Sequence, residues 1–177
     1  MLITLSGLPG SGTSTVARSA ATRLGLAHLD GGTVFRSLAS EHGLSLAEFA
    51  RLAEADESID RSLDDRLLER AREGRVLLES RLAGWLATRD GLDALRVWIA
   101  CDDRERARRV AGREGHELDA ALAANADREA SERQRYQDYY GIDLTDLTVY
   151  DLVIDSTTTG PDAIVDALVA AATARFA

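Results

Sequence analysis

Three observations predict an α/β fold built on one parallel sheet. Short apolar runs alternate with helical patterns of ten or more residues along the chain, as in repeated βαβ units. The first run, LITLS (2–6), leads into a glycine-rich stretch, SGLPGSGTST (6–15), and then a helical pattern. The 177 residues suffice for one domain with a sizeable core, and no repeat, low-complexity tract or Pro/Ser-rich linker divides them.

LITLS is β-branched, apolar and bounded by glycine, which makes it the first strand. STVARSAATRLG (14–25) follows as a helix ended by Gly25. AHL (27–29) is a weaker strand signal. Residues 33–74 are helical and polar, too long for a simple crossover, and predict a helical lobe. RVLLE (75–79) and LRVWIA (95–100) read as strands, and RERARRVAGR (104–113) as a helix. Residues 113–140 predict a second lobe, with a dense Arg/Glu helix over 117–140. DLVID (151–155) is a further strand, and PDAIVDALVAAATARF (161–176) closes the chain as a helix with Pro161 near its first turn.

Net charge is -9, all 21 basic residues are Arg, and Asp outnumbers Glu. So acidic a chain argues against nucleic acid or an anionic membrane as partner, since both need a basic face. Two accounts fit the absence of lysine: adaptation to concentrated salt, as in proteins of halophilic archaea, or a GC-rich genome favouring Arg codons. No apolar run is long enough to span a membrane, and MLITLSG lacks the charged start of a signal peptide. The single Cys101 excludes an intramolecular disulfide and suggests a reducing compartment, so a cytoplasmic monomer is expected. Cys101 itself reads as a small buried residue ending a strand.

The glycine-rich stretch nearly matches G-x-x-x-x-G-K-[ST]. Gly7 and Gly12 hold the spacing, Ser14 fills the last position, and Thr13 stands where the lysine belongs. Its setting, strand then loop then helix, predicts a P-loop NTPase fold with a five-stranded sheet. Residues Gly7, Leu8, Pro9, Gly10, Ser11, Gly12, Thr13, Ser14 and Thr15 would then cradle the phosphates of ATP, with the amides of Gly10 to Thr15 pointing into one concavity. Ser14 would place its hydroxyl on Mg²⁺; the plainer reading has it only capping the helix. A sheet with two helical lobes fits a small kinase that closes over its substrates.

Further along, LDGGTVFR (29–36) offers Asp30 as an acceptor, Gly31 and Gly32 as an open backbone, and Arg36 as a phosphate fork. VLLESRLAGW (76–85) ends a strand in Glu79, at the ligand-binding edge of a parallel sheet, where a carboxylate holds a water of Mg²⁺. Arg81 is placed to reach a substrate phosphate, and Trp85 reads as packing. REASERQRYQDYYGID (128–143) puts Arg128, Glu132 and Arg135 on one helix face, with Arg133 beside them. That face is either a solvated ion-pair ladder or a set of arginines that folds over a γ-phosphate.

LDGGTVFR, ESRLAGW and SERQRYQDYYGID followed by YDLVID resemble, in this order and nearly end to end, the cytidylate kinase family of the nucleoside monophosphate kinases, and its archaeal branch in particular. The resemblance implies reversible phosphate transfer from ATP to CMP or dCMP with Mg²⁺. It implies the glycine loop on ATP, Arg36 and Arg81 on the CMP phosphate, and Arg128 and Arg135 closing from a lid. Asp30 and Glu132 would lie near the CMP ribose or base. Thr13 for Lys, Ser80 for Gly and Gly31 are departures, and Leu82 stands where bacterial members carry a base-reading aspartate, which leaves the base preference open.

The acceptor of such a reaction is an ionised phosphate, so no general base is needed and His28, His42 and His116 read as structural or surface residues. Arg128, Arg133 and Arg135 are the expected substitutes for the missing lysine charge, with Thr13 donating one hydrogen bond; Arg18 is less favoured because its side chain faces away. Two rival readings stay open. One is another small-molecule kinase for AMP, UMP or an alcohol, the last with Asp30 as base. The other is a catalytically silent nucleotide-binding module. The absence of lysine argues against a GTPase switch, whose N-K-x-D or T-K-x-D base-reading motif needs one.

Overall fold

A computed structural model describes residues 1–177. Five strands form one parallel sheet: β1 (Leu2–Gly7), β2 (Ala27–Asp30), β3 (Val76–Glu79), β4 (Leu95–Ala100) and β5 (Leu152–Asp155). Their order is β2-β3-β1-β4-β5. The chain thus builds one side of β1 first and then crosses to the other. Such a switch point opens a crevice at the C-terminal ends of the strands. β1 ends there at Gly7, and the register sets Glu79 of β3 beside both Leu5 and Asp30.

Every residue of β1 and β3 is buried, so their side chains alternate between two cores rather than between core and water. On one face Ile3, Leu5, Leu77, Val97 and Ile99 pack with α1 (Thr13–Leu24) and α8 (Pro161–Arg175). On the other, Leu2, Val76 and Leu78 pack with α4 (Glu57–Arg72) and α5 (Ala83–Arg89). The weak signal at AHL has a simple cause: β2 is an edge strand, and none of its residues is fully buried.

The polar stretch 33–74 folds as α2 (Gly31–Glu41), α3 (Leu46–Ala55) and α4. Asp30 caps α2, Ser45 and Glu48 form a capping box on α3, and Asp56 caps α4, so polarity here marks helix starts as well as solvent. RERARRVAGR folds as α6 (Asp103–Glu114), and the second long stretch, 113–140, is the end of α6 and the 23-residue α7 (Leu118–Tyr140). Both end on a left-handed glycine, Gly115 and Gly141. The Gly84 Cα lies against the Tyr150 ring so closely that a Cβ would meet a ring carbon at 2.4 Å. The glycine of LAGW is therefore a packing requirement. Cys101 is half-buried just past β4, not the last residue of the strand.

Candidate active site

Between β1 and α1 the chain turns through Gly10 (φ 83°) and Gly12 (φ 93°), both in the left-handed region that favours glycine. The amides of Gly10, Gly12, Thr13 and Ser14 donate no hydrogen bond within the chain. They gather at the N-terminus of α1, which has no side-chain cap. A cluster of unpaired N–H groups at the positive end of a helix is a site built for an anion. Ser14 does not cap the helix; its hydroxyl donates to Glu79 Oε1 at 2.6 Å.

Glu79 is 6% exposed and its other oxygen lies 2.9 Å from His28 Nε2. A serine hydroxyl and a strand-end carboxylate side by side, next to a phosphate cradle, fit Mg²⁺, which takes one or two protein oxygens and completes its octahedron with phosphate oxygens and water. His28 was read as structural or surface, and its contact with Glu79 is the one histidine contact that reaches this site.

The loop is held from below by α6. Arg106, 2% exposed, donates to the Pro9 carbonyl at 3.0 Å and pairs with Glu129 of α7. Arg109 donates to the Ser11 carbonyl at 3.3 Å and to the Ser156 carbonyl at 2.6 Å. A Cβ on Gly10 would meet the Arg106 carbonyl at 2.5 Å, so the loop rests directly on α6. Sequence reading found neither arginine. The usable signal was their i, i+3 spacing, which points both toward one neighbour. Next to Arg109 a cavity of about 360 Å³ opens between Gly12, Thr15, Thr157, Gly160 and Pro161.

On the other side of the loop, Arg81 donates to the Gly7 carbonyl and, through Nε, to Glu132 Oε2 at 2.8 Å. Arg128 donates to Glu132 Oε1, also at 2.8 Å. Burial alone would raise the Glu132 carboxyl, but Arg81 and Arg128 outweigh it and hold it below the usual carboxylate range. Glu132 is thus the counter-ion of two predicted phosphate-binding arginines. Arg36, 53% exposed, folds back onto Thr33 Oγ1 at 2.8 Å and Asp30 Oδ2 at 3.4 Å, covering Gly32. Asp30 is committed to Thr33 and the start of α2.

Two expected lid arginines lie elsewhere. Arg133 is exposed and makes no hydrogen bond, because it sits one residue past Glu132 and faces water. Arg135 is turned to Asp60 of α4, with Nη1 at 2.8 and 2.7 Å from the two carboxylate oxygens. Glu129 marks the turn of α7 that adjoins the loop, and Arg135 is six residues, about 9 Å, further along. Of the predicted trio, Arg128 is the one the fold brings to the Arg81 side of the loop. Thr13 is 8% exposed, with its methyl toward Gly7. Arg18 is exposed.

Fold and loop together define the class. The chain superposes on a shikimate kinase from Bacteroides thetaiotaomicron with a TM-score of 0.63, 14% identity and 98% of both chains covered. A gluconokinase from Sinorhizobium meliloti gives 0.63 at 16% identity over 97% of this chain and 91% of that one. The architecture is that of the P-loop kinases.

Residues 2–158 match the model of the cytidylate kinase-like family, and the chain belongs to that family. It is 49% identical to a cytidylate kinase of Halobacterium salinarum over 94% of this chain and 86% of that protein. It is 48% identical to one of Halorubrum lacusprofundi over 96% and 88%, and 44% identical to one of Pyrococcus horikoshii over 93% and 84%.

Proposed function

We propose that this protein transfers the γ-phosphate of ATP to CMP or dCMP. One observation carries the reading: unpaired amides at the start of α1, the Ser14–Glu79 pair and the Arg81–Glu132–Arg128 cluster converge at one sheet edge. Identity of 40–49% to cytidylate kinases over most of the chain supports the acceptor.

In this reading Gly7 to Thr15 hold the donor phosphates, and the cavity beside Arg109 takes the donor base. Ser14 would hold Mg²⁺ directly and Glu79 through water, and the ion would supply neutralisation of phosphate charge there. Arg81, and Arg36 once it swings off Asp30, hold the acceptor phosphate. Asp30 and Gly32 line that side of the site. An acceptor oxygen bonds to the γ-phosphorus as the bond to the β,γ-bridging oxygen breaks, and ADP leaves. The acceptor is already ionised, so the chain supplies position and positive charge rather than a base. Arg128 brings charge from α7, which makes up most of the lid, residues 113–140, while residues 33–74, largely α2 to α4, form the acceptor lobe. Working as a monomer in the cytoplasm, and in concentrated salt, belongs to the same proposal, and the acidic, lysine-free composition supports the last of these.

The test is ADP release with Mg²⁺-ATP across nucleoside monophosphates and shikimate, at low and at molar KCl. CMP or dCMP is expected to give the highest kcat/KM. AMP or shikimate ahead of both by more than about tenfold, some 1.4 kcal/mol, would overturn the reading.

A further inference from the structure

The glycine loop lacks the cation its motif calls for, and the contacts of Gly7 show where that cation would stand. Thr13 leans on Gly7 from the α1 side: its Cγ2 lies 2.9 Å from where a Cβ on Gly7 would sit. A lysine at 13 in the same rotamer carries its Cγ at the place of that methyl, and the rest of its stem runs on past Gly7 toward the phosphates. The far side of Gly7 is already taken. Arg81, two residues past the end of β3, donates from Nη1 to the Gly7 carbonyl.

Arg106 and Arg109 also touch loop carbonyls, but both are committed. Arg106 uses Nη1 and Nη2 on Pro9, Asp103 and Glu129. Arg109 uses Nε on Glu105 and both Nη groups on Ser11 and Ser156. Both lie on α6, beneath the loop. Arg81 differs. Its Nε and Nη1 are bonded, to Glu132 and Gly7, and Nη2 makes no hydrogen bond. The side chain is 17% exposed, and Nη2 is not among the chain's buried unpaired atoms, so it opens onto the crevice. The charges agree with this. Arg81 and Arg128 share the single carboxylate of Glu132, which leaves one positive charge over, the charge a loop lysine carries.

Resting on the reading above, in which Arg81 meets the acceptor phosphate, we propose that Arg81 is also the cation of the glycine loop, in place of the lysine that Thr13 replaces. Nη1 anchors the guanidinium to Gly7, and Nη2 reaches the γ-phosphoryl group as it passes between the two nucleotides. In that step an acceptor oxygen bonds to the γ-phosphorus, the bond to the β,γ-bridging oxygen breaks, and the bridging oxygen leaves on ADP with the electron pair. Charge therefore shifts from one phosphate to the other past a fixed guanidinium. A cation already held in place needs no reorganisation at that moment. Thr13 is tolerated on this account because a lysine there would set a second cation against the first.

Moving the charge from one position to the other tests this, read by ADP release and by one wild-type measurement. Arg81→Ala is expected to lower kcat about tenfold or more and to raise KM for CMP. Adding Thr13→Lys to it is expected to return at least about tenfold in kcat while KM for CMP stays high, because the lysine serves the donor side alone. In the otherwise unaltered chain Thr13→Lys is expected to give no gain. A gain confined to the Arg81→Ala background is a coupling that a merely structural Arg81 would not produce. In the wild type, the Arg81 Nε–H resonance should shift on adding the β,γ-imido analogue of ATP with no acceptor present. An equal Thr13→Lys gain in both backgrounds, a folded double variant without rescue, or an Arg81 resonance indifferent to the analogue would sink the proposal. Should a variant not fold, the resonance decides. A resonance that moves with the analogue but not with CMP would uphold this role of Arg81 and defeat the acceptor assignment instead, so the two failures are distinct.

Discussion

Replacing Arg81 by alanine perturbs two things that the structure allows to be separated. Arg81 joins the loop, through the Gly7 carbonyl, to Glu132, a carboxylate only 6% exposed. Breaking a buried ion pair by removing one partner costs about 3–5 kcal/mol. Arg128 stays on Glu132 Oε1 at 2.8 Å, so a loss of roughly 2 kcal/mol is expected, or about 4–8 °C in Tm for a chain of this size. The second effect is catalytic. A guanidinium–phosphate contact is typically worth about 1.5–3 kcal/mol, or roughly ten- to 150-fold in acceptor kcat/KM, with KM for ATP little changed. Adding Glu132→Gln to Arg81→Ala removes the uncompensated charge and should return most of the stability but none of the acceptor kcat/KM. The assays are thermal unfolding and ADP release with CMP varied at saturating ATP. An acceptor kcat/KM unchanged in Arg81→Ala, or restored together with stability in the double variant, would refute the phosphate role and leave Arg81 as a strut.

Three further outcomes are expected. Burial pushes the Asp64 carboxyl from 3.8 up to about 7, so its contribution to stability is full below about pH 4 and lost as pH rises through 7, by up to about 4 kcal/mol; Asp64→Asn, which keeps an acceptor for Tyr140, should flatten this part of the pH dependence in urea unfolding. Thr13→Val should cost only about 0.5–1.5 kcal/mol in the transition state while Arg128→Ala costs about 10³ in kcat, and a Thr13→Lys variant gaining a hundredfold from a nearly inactive parent would show that the lysine had never been replaced. Stability and activity should rise with KCl into the molar range, where a screening length of about 3 Å quenches carboxylate repulsion; full activity at about 50 mM without further gain would favour codon bias.

The sheet was legible because its strands are short, apolar and bounded by glycine, and even the weak AHL signal marked a real edge strand. The loop, Ser14 and Glu79 were legible because motif spacing and strand ends fix where those side chains go. Arg135 was not. Helical spacing says which residues share a face, and Arg128, Glu132 and Arg135 do, but not which neighbour covers each turn. The neighbour is Asp60, inside a stretch legible only as polar and helical. Arg106 was missed for a related reason: in RERARRVAGR it looks like one more solvated charge, and tertiary packing alone makes it 2% exposed. His28 carried no signal beyond its place two residues before the end of β2; the register, with Asp30 opposite Glu79, brings it to the carboxylate.

Glu132 also bears on ion selectivity. Arg81 and Arg128 do not stand as bare cations; the chain supplies its own anion to them at 2.8 Å on each side. A chloride ion arriving there gains little, because the charge it would neutralise is already neutralised, and as a sphere it cannot engage two guanidinium forks in the directional way a phosphate can. Only a multidentate oxyanion can outbid the carboxylate. On the proposed phosphate role of Arg81 and Arg128, a site guarded in this manner would stay open to nucleotide in a solution where halide outnumbers it by orders of magnitude.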